Sequence, residues 1–161
     1  MTQELWLVRH GQTDWNRDRR LQGRAEIPLN QQGRQEAAAL RLVLRDHLFA
    51  GVWASSATRS VVTAQLAYGE AIVDARLDEF DFGRLEGMTW SELPSEVQQA
   101  LLAFDGFAAP GGESVADFRY RVEEFVNGLP EGRHLIFSHG GVIRVLAGTT
   151  PDPGQYLVVV R

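Results

Sequence analysis

Leu5 to Val8 form an unbroken apolar run that ends in Arg9, His10 and Gly11. A short run of this kind, rich in leucine and valine and stopped by glycine, predicts a buried strand over residues 4–11. The pattern recurs in RHLIFSHGG, residues 133–141, the strongest strand signal after the first. Weaker signals fall at 51–55 (GVWAS), 71–77 (AIVDARL) and 155–161 (QYLVVVR), the last read as a closing strand, antiparallel at an edge. Between these runs the period becomes helical. A helix is predicted from near Asn30 through the segment ending at Leu48, with Ala37, Leu40, Leu44 and Leu48 on one stripe. Gly33 falls early in it, where its propensity cost is tolerable. Further helices are predicted at 58–69 and 91–104, the second placing Leu93, Val97, Leu101 and Phe104 on one face. Ser114 is the expected cap of another, with Asp117 at the capping-box position and a stripe of Val115, Phe118, Val122, Phe125 and Leu129. A last helix is expected to start in VIRVLAG, residues 142–148.

Strands alternating with helices predict an α/β protein, a three-layer αβα sandwich around a mostly parallel sheet. No linker, repeat or low-complexity stretch divides residues 1–161, which read as one domain. The irregular stretch 85–113 is expected to cover part of a pocket. In such folds ligands gather beyond the carboxyl ends of the strands. His10 and His139 both stand where an apolar strand gives way to glycine, which joins two residues far apart in sequence.

Composition narrows the chemistry. A net charge of −5 argues against a broad nucleic-acid or anionic-membrane surface, though not against a small basic pocket. All 16 basic residues are arginines, which excludes lysine-dependent chemistry. With no cysteine, disulfides, thiolate nucleophiles and cysteine metal sites are excluded. No apolar stretch of membrane-spanning length or signal peptide is evident, and the cytoplasm is the expected compartment.

Arg9 carries a planar fork of donors suited to phosphoryl oxygens. Asn16 and Gln22 add neutral donors, and Gly23 permits a close backbone approach. Arg59 lies at the start of a helix directly after a strand, where the helix terminus favours an anion and Ser56 or Thr58 is available as a cap. Two histidines, two arginines and a helix terminus would enclose a tetrahedral dianion. A neutral imidazole can attack phosphorus if its other nitrogen is held by an acceptor. The leaving oxygen then needs a proton, and LDEFDFGRLEG offers Glu79 and Glu86 beside Asp78 and Asp81. Like-charge repulsion from a bound dianion would raise a carboxyl's pKa and suit it to this work. There is no HExxH pattern, and arginines would repel a cation, so neither a metal nor another cofactor is expected.

LVRHGQTDWN, SSATRSVVTA, LDEFDFGRLEG, PGGES and IFSHGGVIRVL, taken in order, resemble the histidine phosphatase superfamily, the phosphoglycerate mutase-like proteins. The likeness spans nearly the whole chain and implies that family's fold. It implies that His10 is the nucleophile that becomes phosphohistidine, while Arg9, Arg59 and His139 hold the phosphoryl group. Glu79 matches the family's proton donor, and Glu86 a second characteristic acidic position. Thr13, Asn16, Gln22, Gly23 and Gly140 fall at supporting positions, Thr13 as a small hydroxyl residue beside the phosphate.

Mutases of this family carry a longer insertion with extra basic residues, whereas residues 85–118 here contain no arginine. The chain therefore looks more like the phosphatase branch, with α-ribazole phosphate or another small phosphomonoester as substrate. A cofactor-dependent phosphoglycerate mutase is the alternative, with Arg17, Arg19, Arg20 and Arg24 as sources of the missing charge. A noncatalytic phosphate-ligand sensor is a third reading, disfavoured because binding alone needs neither His10 nor Glu79. Trp90, Phe104 and Phe107 are candidates to contact a ring-bearing leaving group. A small molecule is the expected partner, without nucleic acid or membrane, and a homodimer is the candidate assembly.

Overall fold

The computed structural model describes residues 2–161. Five strands, β1 (Gln3–Arg9), β2 (Gly51–Ala54), β3 (Ile72–Val73), β4 (Gly132–Ser138) and β5 (Tyr156–Val160), form one sheet in the order β3-β2-β4-β1-β5. Four of them are parallel and β5 alone is antiparallel, closing the edge beside β1. Alternate side chains of β1 supply opposite faces, as the period of two requires. Leu5 and Leu7 pack with Phe118, Val122 and Phe125 of α5 (Val115–Asn127) and Val142 and Ile143 of α6 (Gly140–Ala147). Trp6 and Val8 pack with Leu40 and Leu44 of α2 (Gln31–Leu44) and Ala64 and Ala67 of α3 (Thr58–Ala67). This is the expected three-layer sandwich.

Several local expectations need correction. The polar stretch after Gly11 contains a short helix, α1 (Asp14–Arg17), capped by Thr13 in a reciprocal box with Asn16. Helix α2 stops at Leu44, so Leu48 lies beyond it and is 87% exposed. The strand expected over 71–77 pairs only through Ile72 and Val73. Asp74 then accepts from the Arg76 N–H and turns the chain into a 3-10 turn, Ala75–Leu77. Pro94 divides the helix expected at 91–104 into a 3-10 turn, Trp90–Glu92, and α4 (Ser95–Ala103), because the residue before proline is held out of the helical region. Ser114 does cap α5 by accepting from the Asp117 N–H, and Leu129 lies past the helix end yet is buried.

Gly33 in the first turn of α2 has a purpose beyond tolerance. A Cβ there would lie 2.1 Å from the Gln12 carbonyl oxygen, and one on Gly11 would lie 2.3 Å from that of Gly33. The paired glycines let α2 press against the backbone that follows His10.

Candidate active site

Strands β1 and β4 are parallel neighbours with Arg9 opposite Ser138. The next residue of each is therefore a histidine at the same sheet edge. The His10 and His139 rings meet edge to face with centroids 5.1 Å apart, both buried. His10 Nδ1 lies 2.7 Å from the Gly11 carbonyl oxygen. A carbonyl only accepts, so Nδ1 carries the proton and Nε2 keeps its lone pair. Burial, reinforced by the charges of Arg59 and Arg9, pushes this imidazole down to about 3. His139 is likewise driven well below the usual histidine value, first by burial and then by His10, Arg59 and Arg9. Its Nε2 lies 2.7 Å from the Ser55 hydroxyl, and its Nδ1 has no partner among the described residues.

Two arginines border this pair. Arg9 donates from one terminal nitrogen to the Pro151 carbonyl at 2.9 Å. Arg59 is buried and donates to the carbonyls of Gly23 and Ala25, both at 2.8 Å. The Nε of each guanidinium is buried without a partner among the described residues. Burial lowers the pKa of both, opposed mainly by Glu79, but a guanidinium stays charged at neutral pH. Unpaired buried donors are costly. Gathered around two neutral histidines, they match the needs of a bound oxyanion.

Glu79 is buried against the same edge. Its Oε1 accepts from the Phe80 N–H at 2.8 Å and its Oε2 from the Gly141 N–H at 3.0 Å. Those bonds and the charges of Arg59 and Arg9 favour the carboxylate, but burial outweighs them and raises the pKa. Gly141 admits this approach: a Cβ there would sit 2.3 Å from Glu79 Oε1.

The supporting residues divide in two. Arg9, His10, Asn16, Gln22, Glu79 and Gly140, with Arg20, Leu21 and Phe82, line a cavity of about 170 Å³. Thr13 stands behind it, fully buried, its hydroxyl donating to Gln22 Oε1 at 2.7 Å and lying 3.1 Å from Asn16 Oδ1. Its side chain holds the two amides rather than facing the cavity, contrary to expectation. Glu86, the second acidic candidate, holds backbone: its Oε1 accepts from the Gly23 and Ala25 N–H groups at 2.9 and 2.7 Å, tying down the loop that Arg59 grips. The close approach at Gly23 is to the Phe80 carbonyl, 2.5 Å from an added Cβ. Neither Ser56 nor Thr58 caps α3; the Ser56 hydroxyl goes to Asp78 instead.

A larger cavity of about 360 Å³ adjoins the first through Arg9, Leu21, Glu79, Phe82 and Gly140. Trp90, Leu101 and Phe104 give it an apolar wall, with Arg144 and Thr150 also at its lining. Phe107 packs in the core. Arg144 donates to the Leu101 and Leu102 carbonyls at the end of α4. Of the four arginines in the first loop, Arg20 lines the smaller cavity, while Arg17 pairs with Asp14 and Asp18, and Arg24 with Asp78. Among the described residues no cluster of three or more histidine, aspartate or glutamate side chains is placed to hold a metal ion. No helix there is long and apolar enough to cross a membrane.

Residues that sequence reasoning missed hold the framework. Ser55 follows β2 and engages His139; Thr63 accepts from the Gly11 N–H at 3.1 Å and donates to the Arg59 carbonyl at 2.7 Å. The doubled serine of SSATRS and the TRSVVTA spacing were the available signals, but neither names its partner.

Residues 5–152 match the model of the histidine phosphatase superfamily, branch 1. The chain is 31% identical to fructose-2,6-bisphosphatase TIGAR B of Danio rerio over 99% of its own length and 68% of that protein's. A crystal structure of phosphoglycerate mutase from Thermus thermophilus superimposes with a TM-score of 0.92 at 38% identity, covering 97% of this chain and 92% of that one. An Escherichia coli K-12 chain, provisionally described as an alpha-ribazole-5'-P phosphatase, superimposes with a TM-score of 0.82 at 27% identity over 99% and 94%. Likeness that runs almost the full length and carries the same fold admits one assignment: the chain belongs to branch 1 of the histidine phosphatase superfamily.

Proposed function

We propose that this protein hydrolyses phosphomonoesters without a metal, through a phosphohistidine at His10. The observation that carries the reading is the state of His10, neutral, with Nδ1 committed to the Gly11 carbonyl and Nε2 without a hydrogen-bond partner among the described residues, at a cavity edged by cations. In the first step Nε2 bonds to phosphorus as the ester P–O bond breaks. The Gly11 carbonyl offsets the positive charge that develops at Nδ1. Arg9, Arg59 and a neutral His139, its Nδ1–H turned to a phosphoryl oxygen, stabilise the transferring charge. Glu79, whose burial makes its carboxyl hold a proton more tightly than an exposed one, gives its proton to the leaving oxygen. In the second step it takes a proton from water as the water oxygen attacks phosphorus and His10 departs.

The larger cavity supports a leaving group with an apolar, ring-bearing part, and residues 85–113 act as its partial cover. The likeness to the Escherichia coli chain makes α-ribazole phosphate the favoured substrate, and the cytoplasm is the setting proposed. The Thermus neighbour and the place of Arg20 favour a mutase as the second reading. Against it, three of the four loop arginines do not line the phosphate-sized cavity.

Rapid quenching with a labelled monoester should trap acid-labile, base-stable phosphate on His10. Robust turnover by His10→Ala would remove the nucleophile. Product analysis with phosphoglycerates separates the two readings: efficient isomerisation with negligible free phosphate would establish the mutase.

A further inference from the structure

The PGGES segment has no part in the chemistry above, yet its glutamate meets one arginine in a way that reaches Glu79. We infer that Arg121, paired with Glu113, is the positioning residue for the proton donor. This rests on the reading of Glu79 as that donor.

A guanidinium has five N–H donors, and five hydrogen bonds leave Arg121. Its Nε donates to Glu113 Oε1 at 2.7 Å, and one terminal nitrogen donates to Glu113 Oε2 at 3.1 Å. That nitrogen also reaches the Glu79 carbonyl at 3.1 Å. The other serves the carbonyls of Arg76 at 2.8 Å and Asp78 at 2.7 Å. The pair is largely buried, with side-chain exposures of 17% and 12%. The guanidinium lies over the Phe118 ring, 4.7 Å from its centroid. Glu113 completes the grip from the far side, since its Oε2 accepts from the Asp81 N–H at 3.2 Å and its own N–H donates to the Asp81 carbonyl at 3.0 Å. The segment 76–81 is thus held at four backbone positions by two side chains.

That segment is otherwise irregular, a 3-10 turn followed by extended chain. Its carbonyls have no helical or sheet ladder to fix them, so the arginine fork replaces one. Glu79 must keep its carboxyl within hydrogen-bond reach of a leaving oxygen, and its own side chain is anchored to two N–H groups among the described residues. A small displacement of its backbone moves the proton away from that oxygen. A lysine at 121 keeps the charge but loses the planar fork, so it tests geometry rather than charge.

The readout is the ratio of kcat/KM for an alkyl phosphate to that for p-nitrophenyl phosphate, whose leaving group needs little protonation. A loss of folded protein lowers both values and leaves the ratio alone. Arg121→Lys is expected to lower the ratio roughly tenfold, and adding it to Glu79→Gln should lower it no further. An unchanged ratio in Arg121→Lys, or an equal further drop on top of Glu79→Gln, overturns the inference. If Glu79→Gln alone leaves the ratio unchanged, the donor assignment fails first, a distinguishable result. Should Arg121→Lys not fold, Glu113→Gln is judged by the same ratio. Failure of both to fold overturns the inference, because the pair then serves the fold rather than the acid.

Discussion

Replacing His10 by asparagine should make the protein less sensitive to acid. The asparagine amide nitrogen can take the place of Nδ1 and donate to the Gly11 carbonyl, but it cannot titrate. In the native protein the imidazole protonates at about 3, against 6.5 for a free histidine. The unfolded chain therefore takes up this proton first as pH falls. Stability contributed by the neutral state is intact above 6.5 and is lost progressively down to about 3. Each pH unit inside that window costs about 1.4 kcal/mol. Between about pH 7 and about pH 4.5 the loss from this one residue comes to roughly 2–3 kcal/mol. His139 adds a loss in the same direction. Glu79 acts in the opposite sense, since its raised pKa removes stability as pH rises above 4.5. Both remain in the variant, so the difference between the two proteins reports His10 together with its coupling to His139. Urea unfolding followed by tryptophan fluorescence, in phosphate-free buffer at constant ionic strength, measures it at both pH values. The acid-induced loss should be smaller in His10→Asn by roughly 2–3 kcal/mol. Equal losses would show that His10 is not held neutral, and with that the account of its nucleophilicity would fall.

Two further substitutions probe the cavity walls. Gly141→Ala places a Cβ against Glu79 Oε1 and should cut kcat/KM on alkyl phosphates by about tenfold or more, with an unfolding midpoint close to the parent's; unchanged activity would mean that Glu79 moves freely. Trp90→Ala removes an apolar wall of the larger cavity, and should raise KM for an aryl-bearing monoester roughly tenfold while changing that for a small sugar phosphate much less. Equal changes for both esters would move the leaving group elsewhere.

How far the sequence could be read depends on where each residue's partners lie. Arg9, His10 and His139 were legible because the strands carrying them are buried on both faces. A strand in that position must be apolar along its length, so its polar end stands out. Parallel pairing of β1 with β4 then forces the two histidines together. Thr13 was legible as a member of the site but not in its place, because that depends on Gln22, a contact across a loop. Glu86 looked like an acid because it is a carboxylate near another; its partners are backbone N–H groups that no side-chain pattern records. Leu48 kept the helical phase of α2, but phase alone does not mark where a helix stops. Ile72 and Val73 fit a buried strand by composition, yet lie on an exposed edge where Asp74 ends the pairing. Arg121 was hidden for the same reason as Glu86: three of its acceptors are carbonyls more than forty residues away in sequence.

The buried charges around Glu79 couple its proton to the ligand. Arg59 and Arg9 hold its pKa down against the larger effect of burial. A dianion beside those cations neutralises their field and adds a negative charge of its own, so the Glu79 pKa must rise on binding. Ligand and proton then favour each other, and linkage makes the effect reciprocal: anion affinity falls as pH rises through the Glu79 titration. The acid is loaded when a substrate arrives, without needing to be fully protonated beforehand. Sulfate tests this cleanly, being a dianion over the whole accessible range and unable to be hydrolysed. Calorimetric titration near pH 7 in buffers of different ionisation enthalpy counts the protons taken up with it. Net proton uptake is expected for the parent protein and its loss in Glu79→Gln. Uptake that survives in Glu79→Gln and vanishes in His10→Asn would place the linked proton on the imidazole, leaving the leaving oxygen without its donor.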